Sequence, residues 1–316
     1  MGIEFDRTHW GLVLGGSSGF GLATAKALAS RGMNVAVVHR DRRGAMAAIE
    51  AEFEALRRAG VGFLSFNLDA LSAEGRKTVL DDLAKAMGDR GRVRMMMHSI
   101  AFGNLKLLVP PLGLGAAPAR ARARLAEQLG IPVEALAKAV NSAAAADGAE
   151  ALSALADPPA YNAELLLEDE DFARTVHSMG TSLATWTQDL FARKLFAPDA
   201  RVLGMTSEGN EVAWRGYAAV SAAKTALEAV SRSIALELAP YGIRSNIVQA
   251  GVTDTPALRL IPGSGLMKAE ARLRNPFGRL TTPADVADFL CLLCTDEARW
   301  VNGTVIRVDG GEHIAG

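Results

Sequence analysis

Short runs of apolar, often β-branched residues recur along the chain and alternate with longer stretches whose apolar positions repeat every three to four residues. Runs of the first kind at 11–14, 34–40, 62–67, 93–99, 200–207, 244–250 and 304–308 read as buried strands. Between them, 22–31, 44–59, 73–87, 172–195, 217–238 and 283–294 carry the helical repeat. Repeated strand–helix alternation predicts an α/β fold, a doubly wound parallel sheet with helices on both faces. In open sheets of this kind ligands bind beyond the carboxyl ends of the strands, so chemistry is sought just after each one.

One segment breaks the rhythm. From 116 to 160, 18 of 45 residues are alanine, a composition that favours helix. Pro110–Pro111 and Pro158–Pro159 bracket the tract as turn signals. The pattern predicts a single domain with an Ala-rich helical insertion, residues 104–160, after the fourth strand. It is either a lid over the site or a packing surface between copies.

Composition narrows the class. The 316 residues include 34 Lys+Arg and 35 Asp+Glu, a net charge of −1, so there is no general basic field for nucleic acid or an anionic membrane. Apolar residues at 49% and charged residues at 22% fit an ordinary globular chain. No apolar run approaches the ~18 residues of a membrane span. The first ten residues carry Glu4, Asp6 and Arg7 rather than a signal-peptide core, and a cytoplasmic address is expected. The only cysteines, Cys291 and Cys294, read as buried small hydrophobes, and no metal site is expected.

After the first strand, Gly15-Gly16-Ser17-Ser18-Gly19-Phe20-Gly21 leads directly into a helical run. Gly15, Gly19 and Gly21 let the backbone turn tightly and approach a pyrophosphate, which the following helix receives on its free N–H groups. This strand–turn–helix context marks a dinucleotide site. The second strand ends in His39-Arg40, with Asp41, Arg42 and Arg43 beyond. A carboxylate there suits the ribose hydroxyl of NAD, whereas arginine suits the 2′-phosphate of NADP; NADPH is expected, with NADH possible. Asn67 and Leu68, after the third strand, either reach the adenine or make a plain strand-ending turn.

The fifth strand ends at Ser207, and ten residues later comes Tyr217, followed by Lys224 in Y-A-A-V-S-A-A-K. Seven helical steps make about 700°, so Tyr217 and Lys224 are expected on one face, with Lys224 leaning back towards Tyr217. Val220, Leu227, Val230, Ile234 and Leu238 supply the stripe that fixes this helix on the sheet.

Through GGSSGFG, the run His98-Ser99-Ile100-Ala101-Phe102, Y-x6-K at 217 and 224, GVTDTPAL at 251–258 and VDGG at 308–311, the chain resembles the short-chain dehydrogenase/reductase superfamily. It is most similar to the enoyl-[acyl-carrier-protein] reductase branch, over nearly everything except 103–161. The resemblance implies a Rossmann-type fold and NADPH-dependent reduction of the trans-2 double bond of an enoyl thioester in fatty acid or polyketide assembly. It further implies an acyl carrier protein or coenzyme A thioester as substrate, and a homo-oligomer, tetramer or dimer. Ketone-reducing members carry their Tyr four residues before Lys, where this chain has Val220, which cannot donate a proton.

That spacing has a physical logic. In ketone reduction, hydride goes to the carbon bonded to the oxygen that Tyr protonates. In enoyl reduction it goes to the β-carbon, and charge develops on an oxygen three bonds away, so a phenol displaced by about one turn meets it. The resemblance implies that Lys224 binds the nicotinamide ribose and lowers the pKa of Tyr217. It places Ser99, Ile100 and Ala101 near the cofactor, and Thr253 and Thr255 by its carboxamide and phosphates. Ser207 either bonds the thioester oxygen or caps a turn. His177 is a core or surface histidine or a proton relay. A carbonyl reductase of the same superfamily is the alternative reading.

Overall fold

The computed structural model describes every residue except 1, 114, 145–147 and 316. Seven strands form, β1 (His9–Leu14), β2 (Asn34–His39), β3 (Phe63–Asn67), β4 (Arg92–His98), β5 (Phe196–Ser207), β6 (Arg244–Ala250) and β7 (Val305–Val308). They make one sheet in the order β3-β2-β1-β4-β5-β6-β7, parallel at every pairing. This is the expected doubly wound, Rossmann-type α/β architecture. Strands β1, β2 and β4 are buried along nearly their whole length, which is why they read as continuous apolar runs.

Helices α1 (Gly19–Ser30), α2 (Met46–Arg58) and α3 (Ala73–Met87) follow the first three strands. The insertion holds α4 (Ala116–Leu129) and α5 (Val133–Ala143). Then come α6 (Asp169–Val176), α7 (Ser182–Ala192), α8 (Ala218–Leu238), α9 (Pro256–Arg259), α10 (Ser264–Arg274) and α11 (Pro283–Leu293). On one face, Leu12, Val38 and Met96 pack against Leu80 and Leu83 of α3, Trp186 of α7 and Leu227 of α8. On the other, Val13, Val37 and Met97 meet Leu28 of α1, Phe53 of α2 and Leu290 and Cys291 of α11.

The structure departs from the expected elements in three places. The helix expected over 172–195 is interrupted by a π-turn at His177–Thr181. There Ser178 Oγ donates to the Phe102 and Thr175 carbonyls and Ser182 Oγ to the Ser178 carbonyl, side-chain bonds that compete with the regular ladder. Tyr217 is not inside its helix. It is the cap of α8, with φ −113° and ψ 3°. The stretch 256–274, outside the expected elements, forms α9 and α10, α9 being started by Pro256 and by a Thr255 hydroxyl that accepts from Leu258 N at 3.2 Å.

The insertion is helical, as expected, and has a small core of its own around Ala126, Leu136, Val140, Ala144 and Ala156. Its two limbs run side by side, with Leu167 N donating to the Leu107 carbonyl at 2.8 Å. It is docked on α10, because Leu266 joins that core and Arg272 lies 3.8 Å from Glu150. Gly263, at φ +80°, leaves the space that Pro159 takes.

Candidate active site

Strand order reverses at β1, which has β2 on one side and β4 on the other, so the loops leaving β1 and β4 diverge and open a crevice. The glycine loop lies in it. A Cβ at Gly15 (φ +83°) would lie 2.5 Å from the Ser99 carbonyl, and one at Gly21 would collide with the Gly15 carbonyl. Both positions therefore demand glycine, the first for its dihedral and its closeness to β4, the second for helix-to-loop packing. Ser18 is extended, and no side chain caps the first N–H groups of α1, which fits a pyrophosphate there. Ser17 is half-buried in this loop, and Phe20 packs towards the α1 side of the core. Gly19 leaves a Cβ-sized space 3.4 Å from the Thr255 methyl, so the segment after β6 closes the far wall.

At the end of β2, buried His39 pairs through Nδ1 with Asp41 at 2.9 Å. Asn67 spends its amide on this turn, accepting from Asp41 N at 3.0 Å and donating to the Asp41 carbonyl at 3.1 Å. Leu68 packs against the core. Of its two expected roles, the Asn67 side chain thus fills the turn-forming one. Arg40 reaches Asp69 at 3.2 Å. Arg42 and Arg43 are exposed and, among the described residues, their guanidinium groups bond to nothing.

At the end of β4, Ser99 N donates to the Leu14 carbonyl at 2.8 Å, and Ile100 packs against the core while Ala101 is exposed. His98 is buried with Nε2 2.8 Å from Ser182 Oγ. Since that hydroxyl donates to Ser178, its oxygen accepts from His98. Burial, helped by the Lys224 charge, holds His98 at about 3, so the ring is neutral. His177 is on the surface, with Nδ1 3.3 Å from Thr181 Oγ1.

The Tyr217 hydroxyl lies 3.5 Å from Ser207 Oγ, the outer limit of a hydrogen bond. The ring packs with Met179, Val220 and Ala223 and fills the space left by Gly209. Lys224 does not lean on Tyr217. It is buried and donates to the Met205 carbonyl of β5 at 2.7 Å. The expected lowering of the Tyr217 pKa is therefore absent: burial pushes the phenol up, opposed only by Ser207. Burial also pulls Lys224 down to about 8, against the carboxylate of Glu228. The ammonium found a strand carbonyl, a partner that helical geometry alone does not reveal. Val220 is 3% exposed and purely apolar, so no second phenol stands one turn nearer Lys224.

Residues 123–313 match the enoyl-(acyl carrier protein) reductase family and 9–106 the short chain dehydrogenase family. The chain belongs to the short-chain dehydrogenase/reductase superfamily. It is thus an oxidoreductase on a fold that binds NAD(H) or NADP(H), and the glycine cradle above fits such a dinucleotide. Over 115 residues it is 36% identical to the NADH-dependent enoyl-[acyl-carrier-protein] reductase of Aquifex aeolicus, covering 36% of this chain and 43% of that enzyme. An uncharacterized oxidoreductase of Methylorubrum extorquens aligns over 306 residues at 28% identity, covering 95% of this chain and 96% of the relative. The match spans less than half the length of each of the enoyl reductases from Aquifex aeolicus, Bacillus cereus and Escherichia coli. The crystal structure of the Aquifex enzyme superposes with TM-score 0.68 at 23% identity, covering 98% of this chain and 97% of that one. A Burkholderia cenocepacia short chain dehydrogenase in complex with NADP gives 0.67 at 21%, covering 98% and 100%. These likenesses show the fold.

Within this superfamily member, three groups at the site escape sequence reasoning. Glu228 Oε1 accepts from both Thr206 Oγ1 and Asn210 Nδ2 at 2.7 Å, bracketing Ser207. Tyr161, on the return limb of the insertion, lies 3.5 Å from where a Cβ of Gly216 would stand, beside the residue that precedes Tyr217. Arg274 bonds Glu208, the neighbour of Ser207. The K-x-x-x-E spacing of Lys224 and Glu228 was the one available signal. Thr253 Oγ1 turns inward to the Gly251 carbonyl at 3.0 Å. Among the described residues no helix is long and apolar enough to cross a membrane.

Proposed function

We propose that this protein reduces the trans-2 double bond of an enoyl thioester with NADPH, the acyl group being carried on acyl carrier protein or coenzyme A, in fatty acid or polyketide assembly. The observation that carries the reading is the half-buried phenol of Tyr217, seven residues before Lys224, with apolar Val220 in the position that ketone reducers fill with tyrosine. When bound, the reduced nicotinamide supplies the hydride. Tyr217, an ordinarily neutral phenol whose pKa burial raises further, holds its proton ready for the oxygen on which charge develops. Ser207, 3.5 Å from that phenol, orients it, and Lys224, whose amine bonds the Met205 carbonyl of β5, binds the cofactor ribose. Gly15, Gly19 and Gly21 hold the pyrophosphate. Ser99, Ile100, Ala101, Thr253 and Thr255 line the crevice walls.

The unpaired Arg42 and Arg43, with Arg40 beside them, support a 2′-phosphate and hence NADPH. Exposed Leu236, Tyr241 and Trp300 support assembly into a dimer or tetramer. The two buried free thiols support a reducing, cytoplasmic setting. A second reading, reduction of a ketone or 3-oxoacyl thioester, is favoured by the Ser207–Tyr217 pair itself. Oxidation of NADPH, followed separately with crotonyl and acetoacetyl thioesters, decides between them: the crotonyl substrate is expected to be consumed and the acetoacetyl one largely spared. The reverse preference establishes the second reading.

A further inference from the structure

The turn after Ser207 is pinned at three successive residues. The Glu208 carboxylate binds Arg274, the Gly209 carbonyl accepts from Ser221 Oγ, and Asn210 donates to Glu228. The last two pins come from α8, but the first comes from the carboxyl end of α10, the helix on which the insertion is docked. Arg274 grips Glu208 with both nitrogens of its fork, Nη1 to Oε1 at 2.8 Å and Nη2 to Oε2 at 2.6 Å. Nη2 also donates to Glu312 Oε1 at 2.9 Å, and the other Glu312 oxygen accepts from Val252 N at 3.0 Å. Glu312 is 1% exposed, and Gly251 leaves room for its carboxylate.

One guanidinium thus ties together the turn beside Ser207, the loop after β6 and the C-terminal segment. Two carboxylates meeting on one cation is an arrangement that a surface ion pair does not need, and the planar fork fixes the direction of Glu208 as well as its distance. We propose that Arg274 is a positioning residue for the reaction: through Glu208 it sets where Ser207 stands against Tyr217, and so links the docking of α10 and the insertion to the geometry of the reacting groups. This rests on Ser207 and Tyr217 being the reacting site proposed above, and not on which bond is reduced.

The test is a double-mutant cycle. Glu208→Gln and Arg274→Gln are each made with Ser207 present and with Ser207→Ala, and kcat and KM are measured at saturating NADPH on whichever thioester the enzyme consumes. With Ser207 present, each is expected to lower kcat about tenfold, within the roughly 10²-fold available from losing a polar partner of a developing oxyanion. With Ser207→Ala, the further loss is expected to shrink to about twofold or less, because the effect is transmitted through the missing hydroxyl. NADPH affinity should stay within about threefold for Glu208→Gln, which leaves Glu312 bonded to Arg274 and to Val252 N and so keeps the loop after β6 in place. Equal losses in both backgrounds, or an unchanged kcat, overturn the proposal. Should Arg274→Gln fail to fold, Glu208→Gln carries the test, because it leaves the Arg274–Glu312 pair intact. Should the protein consume neither thioester, the functional reading above fails separately, and the clamp is then read from the phenolate absorbance of Tyr217, identified against Tyr217→Phe. Severing the clamp is expected to move that titration upward as the Ser207 contact is lost, and an unmoved titration overturns it.

Discussion

Replacing Lys224 by methionine should make the protein more stable while removing its activity. Lys224 is buried, its one hydrogen-bond acceptor is the Met205 carbonyl, and its pKa is drawn from 10.5 down to about 8. Each unit of that drop corresponds to about 1.4 kcal/mol, so holding the charged amine inside costs the folded state about 3 kcal/mol. Losing the bond to Met205 returns about 1 kcal/mol of this, and methionine fills a similar volume, so a net gain of about 2 kcal/mol is expected. For 316 residues, at about 2 cal/mol/K of unfolding entropy per residue, that is a rise of about 3 °C in Tm.

The pH dependence separates this cause from improved packing. Below about pH 8 the amine is charged in both states and the penalty stands in full. Between about 8 and 10.5 the unfolded chain binds more protons than the folded one, so wild-type stability gains a rising component as the pH rises, and Lys224→Met lacks it. Urea denaturation at pH 7 and at pH 9.5 or so, on both proteins, measures the difference. A variant less stable than wild type at pH 7, or a gap that fails to narrow at the higher pH, refutes the reasoning.

Tyr217→Phe keeps the ring packed with Met179 and Val220 and removes only the hydroxyl. Turnover should fall about 10²-fold or more while NADPH affinity, read by fluorescence titration, stays within about threefold; parallel losses of both count against a role in chemistry. Gly21→Ala forces a methyl into the Gly15 carbonyl, so calorimetry should show NADPH binding weakened at least about tenfold, and wild-type affinity would contradict the cradle. Replacing both Arg42 and Arg43 by alanine should weaken NADPH about tenfold and leave NADH nearly unchanged, with equal effects on the two nucleotides arguing against a phosphate contact.

All seven strands are legible from the chain alone, because a parallel strand covered on its faces by helices keeps a run of apolar, often β-branched residues, longest in the central β1, β2 and β4 and shorter at the edges. The nucleotide loop is legible for an equally local reason: the φ of +83° at Gly15 and the close approach at Gly21 admit no side chain. Helical patterning likewise put Lys224 on the helix that follows Tyr217, though not its bond to the Met205 carbonyl, and composition marked the helical insertion. What folding added are contacts between residues far apart in the chain, which leave no period to read. Arg94 and Arg201 stand in the middle of apolar strands, yet are buried because carbonyls at the end of α11 and the Asp199 carboxylate are brought to them. The π-turn before α7 depends on the Phe102 carbonyl, the Lys224 ammonium on a strand 19 residues away, and the Glu208 clamp on partners 66 and 38 residues apart along the chain. A hydrogen bond or ion pair needs its two groups to arrive at one place, and that arrival is a property of the packed sheet rather than of any stretch of sequence.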